Sequence, residues 1–172
     1  MPASKTDPVA ETLYSAAVDT PVGPMTLVVS SRGLRSLHFG ALPATVTAVA
    51  SDRNTAPWRR QLQEYFAGKR LHFTLPVDPL GTAFQKQVWS VMMDIPCGET
   101  RSYGEIARAV GRPGAARAVG MANKRNPIPV VIPCHRIIGA DGSLTGYSGH
   151  NGLTTKQALL DLERAAVTRA AR

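Results

Sequence analysis

Three prolines within seven residues, Pro127, Pro129 and Pro133, constrain this chain more than any other feature. A proline has no amide hydrogen for a helix, and it drives the residue before it towards extended geometry. Asn126-Pro127-Ile128-Pro129 therefore cannot be helical. The short apolar run Val130-Val131-Ile132 leads from it into Pro133-Cys134-His135-Arg136. A thiol, an imidazole and a guanidinium thus stand side by side at the end of a buried approach, and the elements on either side must be arranged around it.

Upstream, Tyr14 to Val18 and Met25 to Val29 are rich in strand formers and are separated by the turn segment 19–24, which predicts a hairpin. Ser31-Arg32-Gly33 forms a second turn, and Leu34, Leu37 and Phe39 make a third strand ending at Gly40. Trp58, Leu62, Tyr65 and Phe66 recur at helical spacing between Pro57, near the helix start, and Gly68. Leu71, Phe73 and Leu75 alternate with polar residues, which predicts a further strand. A domain boundary falls near residue 80, giving residues 1–80 as an α/β unit and residues 81–172 as a mainly helical one.

In the second unit Thr82 caps a helix carrying Phe84, Val88, Trp89 and Met92, ending before Pro96. Ser102 with Glu105 fits a capping box for Tyr103 to Val110. After the turn Gly111-Arg112-Pro113-Gly114, Ala115 to Lys124 makes a second helix, so the pair resembles a helix-turn-helix. Asp141-Gly142 signals a hairpin, Tyr147 to Gly152 is a glycine-rich loop, and Thr154 to Val167 reads as a closing amphipathic helix. The fold class expected is α/β (α+β): a small sheet-plus-helix domain followed by the helical domain.

With 172 residues, 44% of them hydrophobic, the chain can bury a core, which excludes a disordered tail or a fibre. No apolar run is long enough for a membrane span, and Met1 to Val9 is polar, so a non-exported cytoplasmic protein without membrane attachment is expected. Two cysteines, Cys97 and Cys134, are too few for a disulfide framework and lack metal spacing. No Cys or His cluster precedes residue 80, only His38 and His72, so neither a metal nor a cofactor is expected. The net charge of +8 is uneven: residues 81–136 hold eight bases and three acids. That favours a polyanionic partner without specifying a sequence.

A lone cysteine is most often inert packing. A neighbouring imidazole or cation changes this by lowering the thiol pKa, and Cys134 has His135 and Arg136 beside it. Adjacency is not geometry, however, since in a regular strand successive side chains face opposite ways and His135 would need a turn or a water to reach the thiol.

Val131-Ile-Pro-Cys134-His-Arg-Ile-Ile-Gly139, preceded by Asn126-Pro and by Ala115-Ala-Arg117-Ala-Val-Gly120, resembles the O6-alkylguanine-DNA alkyltransferase family over roughly residues 80–165. The resemblance implies that Cys134 takes an alkyl group from guanine O6 and keeps it, consuming the protein. It implies that His135 removes the thiol proton through a water, that Glu163 orients the imidazole, and that Tyr103 donates to guanine N3. By the same resemblance Tyr147 walls the base pocket, Ser148 reaches O6, and the carbonyls of Cys134 and Ile137 accept the amino hydrogens. Asn126 ties the second helix to the active segment. His150-Asn151 lengthens this loop relative to the family pattern.

The implied partner is duplex DNA carrying O6-alkylguanine, bound by a monomer through the minor groove with the base flipped out; O4-alkylthymine and cooperative binding stay open. Arg117 would fill the gap on a helix kept slim by Ala116, Ala118 and Gly120. Ser102, Lys124 and Arg125 belong to the same DNA face, and two or three of Arg101, Arg108, Arg112, Lys124 and Arg125 would contact phosphates. Three other readings compete: a sensor of alkylated guanine, which would lack the acceptor cysteine; a helix-turn-helix regulator, disfavoured by the slim helix; and a Cys-His hydrolase, for which no acyl site is evident.

Overall fold

The computed structural model describes residues 11–172. The polar segment Met1 to Val9 lies outside the described residues. Strands β1 (Tyr14–Val18), β2 (Met25–Ser30) and β3 (Gly33–Phe39) form an antiparallel meander where the three strands were expected. A fourth strand, β4 (Val49–Ala50), adds in parallel to the free edge of β1, giving the order β3-β2-β1-β4. Two exposed residues carry no alternation, so nothing in the sequence pattern announces it.

Helix α1 (Asp52–Phe66) covers the sheet with Leu62 and Tyr65, each 1% exposed. It starts earlier than expected. The Ser51 side chain accepts from the Asn54 amide, and Pro57 lies inside the helix, where it leaves the Arg53 carbonyl without its usual donor. The strand expected at Leu71 to Leu75 does not form. Its residues do alternate in burial, but the Gln61 carboxamide occupies Thr74, donating to its hydroxyl at 2.7 Å and accepting from its amide at 3.0 Å. Only a single bridge, Leu34 to Val77, joins this stretch to the sheet.

The second half follows its capping signals. Thr82 and Gln85 form a capping box for α2 (Ala83–Met93), and Ser102 and Glu105 form one for α3 (Tyr103–Ala109). Helix α4 (Ala116–Lys124) follows the tight turn, and the three helices pack together around Val88, Trp89, Ile106, Val119 and Ala122. The buried Trp89 indole donates to the Ala122 carbonyl at 2.9 Å, fixing α2 against α4. Helix α5 (Leu153–Ala170) closes the molecule with a buried face that includes two charged residues, Lys156 and Glu163.

A two-residue strand, β5 (Arg101–Ser102), pairs in parallel with β6 (Ile137–Ile138). This pairing places the start of α3 beside the segment that follows Cys134. It also explains why Asp141-Gly142 makes a turn but no hairpin: Gly139 donates to the Ser143 carbonyl at 2.9 Å, after which the chain continues as a loop because β6 is already paired with β5. The α/β architecture is as expected, and buried side chains from both halves form one hydrophobic cluster. No described helix is long and apolar enough to cross a membrane.

Candidate functional site

The proline segment does not run extended into Cys134. It coils, with the Ile132 amide donating to the Ile128 carbonyl at 2.9 Å and buried Val130 at φ +75°, a left-handed conformation rare for a β-branched residue. Asn126 holds the coil, donating through Nδ2 to the Ile132 carbonyl at 2.7 Å and accepting the Ile128 amide at 2.9 Å. Cys134–Arg136 then form one turn of 3-10 helix. Three residues per turn fan successive side chains by about 120°, so Cys134 faces a cavity while His135 and Arg136 face α5.

There the two meet Glu163. The imidazole Nε2 lies 2.7 Å from Oε1, the Arg136 guanidinium grips both carboxylate oxygens, the Tyr65 hydroxyl donates at 2.7 Å and the Gly98 amide at 3.0 Å. The side chains of Glu163 and His135 are both 0% exposed. Burial alone would raise the Glu163 pKa; the bonds from His135 and Arg136, with their charges, outweigh it and hold the carboxyl far below the ordinary range. Burial pushes the His135 pKa down despite Glu163, so the imidazole is neutral near pH 7. With Nε2–H directed at the carboxylate, Nδ1 is the basic nitrogen, and it has no protein partner.

The cation acting on the thiol is not the one that sequence adjacency suggests. Arg136 is engaged by Glu163 and by the Ile95 carbonyl. Lys156 takes that place instead: fully buried, its Nζ donates to the Ile137 carbonyl and, at 2.8 Å, to the Thr145 carbonyl. Burial pushes its ammonium down to about 8. Burial also raises the Cys134 thiol, which is 6% exposed, and the Asn126 amide and the Lys156 charge oppose that rise. The resting thiol is therefore protonated and requires a base. Lys156 and Glu163 are seven residues apart on α5, two turns on one face, and a lysine at that spacing on an amphipathic helix was the available signal for it.

Cys134 opens onto a cavity of about 460 Å³ walled by β3, the proline segment and loop residues Gly146 to His150. Ser148 is exposed in that wall, and the Tyr147 hydroxyl is buried without a partner. The loop is docked at two points. The His150 ring stacks on Phe39 at 5.9 Å, and Gly146, at φ +65°, comes so close to Tyr103 that a β-carbon there would lie 2.6 Å from its hydroxyl. Tyr103 crosses Gly120 of α4, and its hydroxyl lies 3.4 Å from the Thr145 carbonyl.

Arg117, Ala118, Met121, Lys124 and Arg125 form one exposed stripe along α4, with Ala116 and Gly120 half-buried at its border. Ser102 is engaged in capping α3. Of the remaining basic candidates, Arg101 pairs with Glu99 at 2.8 Å and Arg112 lies over the Phe84 ring. Among the described residues no group of three or more His, Cys, Asp or Glu is placed to hold a metal.

Residues 11–79 match the family model described as 6-O-methylguanine DNA methyltransferase, ribonuclease-like domain, and residues 83–165 match its DNA binding domain. The methylated-DNA–protein-cysteine methyltransferase of Methanosarcina acetivorans is 44% identical over 155 residues, covering 88% of this chain and 98% of its own. That of Mycobacterium leprae is 46% identical over 158 residues, covering 90% and 94%. Among solved structures, the Mycobacterium tuberculosis O6-methylguanine methyltransferase superposes with a TM-score of 0.82 at 43% identity, covering 90% of this chain and 94% of that one. Mycobacterium tuberculosis OGT in complex with DNA gives the same TM-score at 44% identity, covering 89% and 94%. With matches along nearly its whole described length, this chain belongs to the family of methylated-DNA–protein-cysteine methyltransferases.

Proposed function

We propose that this protein repairs duplex DNA by moving the alkyl group of an O6-alkylguanine irreversibly onto Cys134, one group per molecule. The observation that carries the reading is a buried thiol at the floor of a cavity, next to a neutral imidazole whose outer nitrogen is fixed by a charged carboxylate and whose inner nitrogen is unpaired. The flipped base would enter the cavity between β3 and the Gly146–His150 loop. His135 Nδ1 takes the thiol proton through a water, and Glu163 stabilises the imidazolium. The Cys134 sulfur attacks the alkyl carbon, the carbon–O6 bond breaks, and the electron pair moves into the purine as Tyr103 donates a hydrogen bond or proton at N3. The thioether product does not hydrolyse, so the protein acts once.

The same reading gives α4 to the minor groove, with Arg117 occupying the space left by the extruded base and Lys124 and Arg125 near phosphates. Residues 11–79 act as the support: Tyr65 steadies Glu163, and Phe39 seats the base-pocket loop. With a tenfold excess of duplex containing O6-methylguanine, conversion of O6-methylguanine to guanine within the duplex should stop at one equivalent per protein. Conversion continuing beyond one equivalent contradicts the reading.

A further inference from the structure

Met121 is 53% exposed, and nothing in the reaction above uses it. A single exposed apolar side chain is ordinary on a protein surface; the position of this one is not. At about 100° per residue, Met121 stands between Arg117 and Arg125 on the exposed arc of α4, about 40° from each, and about 60° from Lys124. The other exposed residue on that arc is Ala118, the border is Ala116 and Gly120, and α4 carries no acidic residue. A large thioether side chain therefore projects from the middle of a slim, wholly basic surface.

Those surroundings narrow the partner. Positive charge on every side suits a polyanion, and the apolar centre requires that the polyanion also offer C–H surface. The minor groove of a duplex has both, with phosphates along its rims and deoxyribose faces as its walls. It is only about 6 Å wide, so a helix bordered by alanine and glycine can approach closely enough for Met121 to touch a wall while Lys124 and Arg125 stay near the rims. Arg117, one turn earlier, is about 6 Å away along the helix axis.

We infer that Met121 supplies the apolar contact of α4 with the minor groove, its side chain lying against the deoxyribose wall beside the extruded nucleotide. An unbranched thioether adapts to an irregular surface. A sugar presents the same face whatever base it carries, so the contact adds affinity without reading sequence. The inference rests on the transfer reading above and on its placing α4 in the minor groove.

The test compares second-order rate constants for methyl transfer to Cys134, read by intact mass with dilute duplex bearing O6-methylguanine. Wild type, Met121→Ala, Met121→Gln, Met121→Leu and Lys124→Ala are measured between about 50 and 200 mM salt. Met121→Ala and Met121→Gln should be about fivefold slower than wild type at every salt concentration, whereas Met121→Leu should keep most of the rate. The slope of log rate against log salt should stay at the wild-type value in all three, while Lys124→Ala should reduce its magnitude by about one. The Met121→Ala loss should be the same whether A·T or G·C pairs flank the lesion, and its melting temperature should match wild type, because the side chain is exposed. Met121→Ala or Met121→Gln reacting within twofold of wild type, or a loss confined to one flanking sequence, would overturn the inference and leave the transfer reading standing. Absence of any Cys134 adduct in wild type would overturn the transfer reading itself, and this one with it.

Discussion

Glu163 is fully buried yet charged, since His135, Arg136, Tyr65 and the Gly98 amide all donate to it. Its folded pKa lies below the ordinary 4.5, so the unfolded chain binds the proton first as pH falls. The stability that Glu163 provides is complete above about pH 4.5 and is lost as pH falls towards the folded pKa. Glu163→Gln leaves Arg136 buried without a counter-charge and should cost about 3 kcal/mol at neutral pH. In urea melts the gap from wild type should narrow at about pH 3, where the unfolded wild-type chain binds a proton that folded Glu163 does not; a gap of equal size at both pH values would mean that the carboxylate charge is not what matters. Cys134, His135 and Glu163 were legible because each lies in a short, distinctive string. Arg136 as a partner of Glu163, and Lys156 as the cation beside the thiol, were not, because both depend on how α5 docks and which side chains it buries.

The two helices with a capping box formed where the sequence placed them. Thr82 and Ser102 cap α2 and α3 as their spacing required, and each such cap stabilises by about 1 kcal/mol. The misses are elements decided at long range. β4 exists because the β1 edge was open, and residues 71–75 stay irregular because Gln61 occupies Thr74. The Cys134 turn is likewise set by Asn126 and by the left-handed Val130, neither visible as periodicity. Arg117 is exposed on a stripe with Lys124 and Arg125, away from the buried Val119–Ala122 face. Arg117→Ala should reduce repair in duplex DNA at least tenfold while changing the reaction with free O6-benzylguanine less than twofold. Equal losses in the two assays would assign Arg117 to the fold instead.

In the proposed function, selectivity and attachment occupy different places in the molecule. The charge excess between residues 81 and 136 surrounds α3 and α4 and suits salt-dependent, sequence-blind binding to phosphates. The proposed chemistry lies deeper, where α1, the 3-10 turn and α5 converge on Glu163 and the loop at 146–150 rests on the sheet through His150 and Phe39. Each half of the chain therefore contributes to the walls and supports of one cavity. The two cysteines divide sharply within it. Cys97 is half-buried, away from the cavity, with a thiol that burial and Glu163 raise to about 11; Cys134 faces the cavity beside a neutral imidazole. Peptide mass spectrometry after mixing the protein with duplex bearing O6-methylguanine identifies the residue that receives the alkyl group. One methyl group should appear on the peptide containing Cys134, in yield equal to the protein present, and none in Cys134→Ala; methyl on Cys97, or undiminished transfer by Cys134→Ala, would contradict the account.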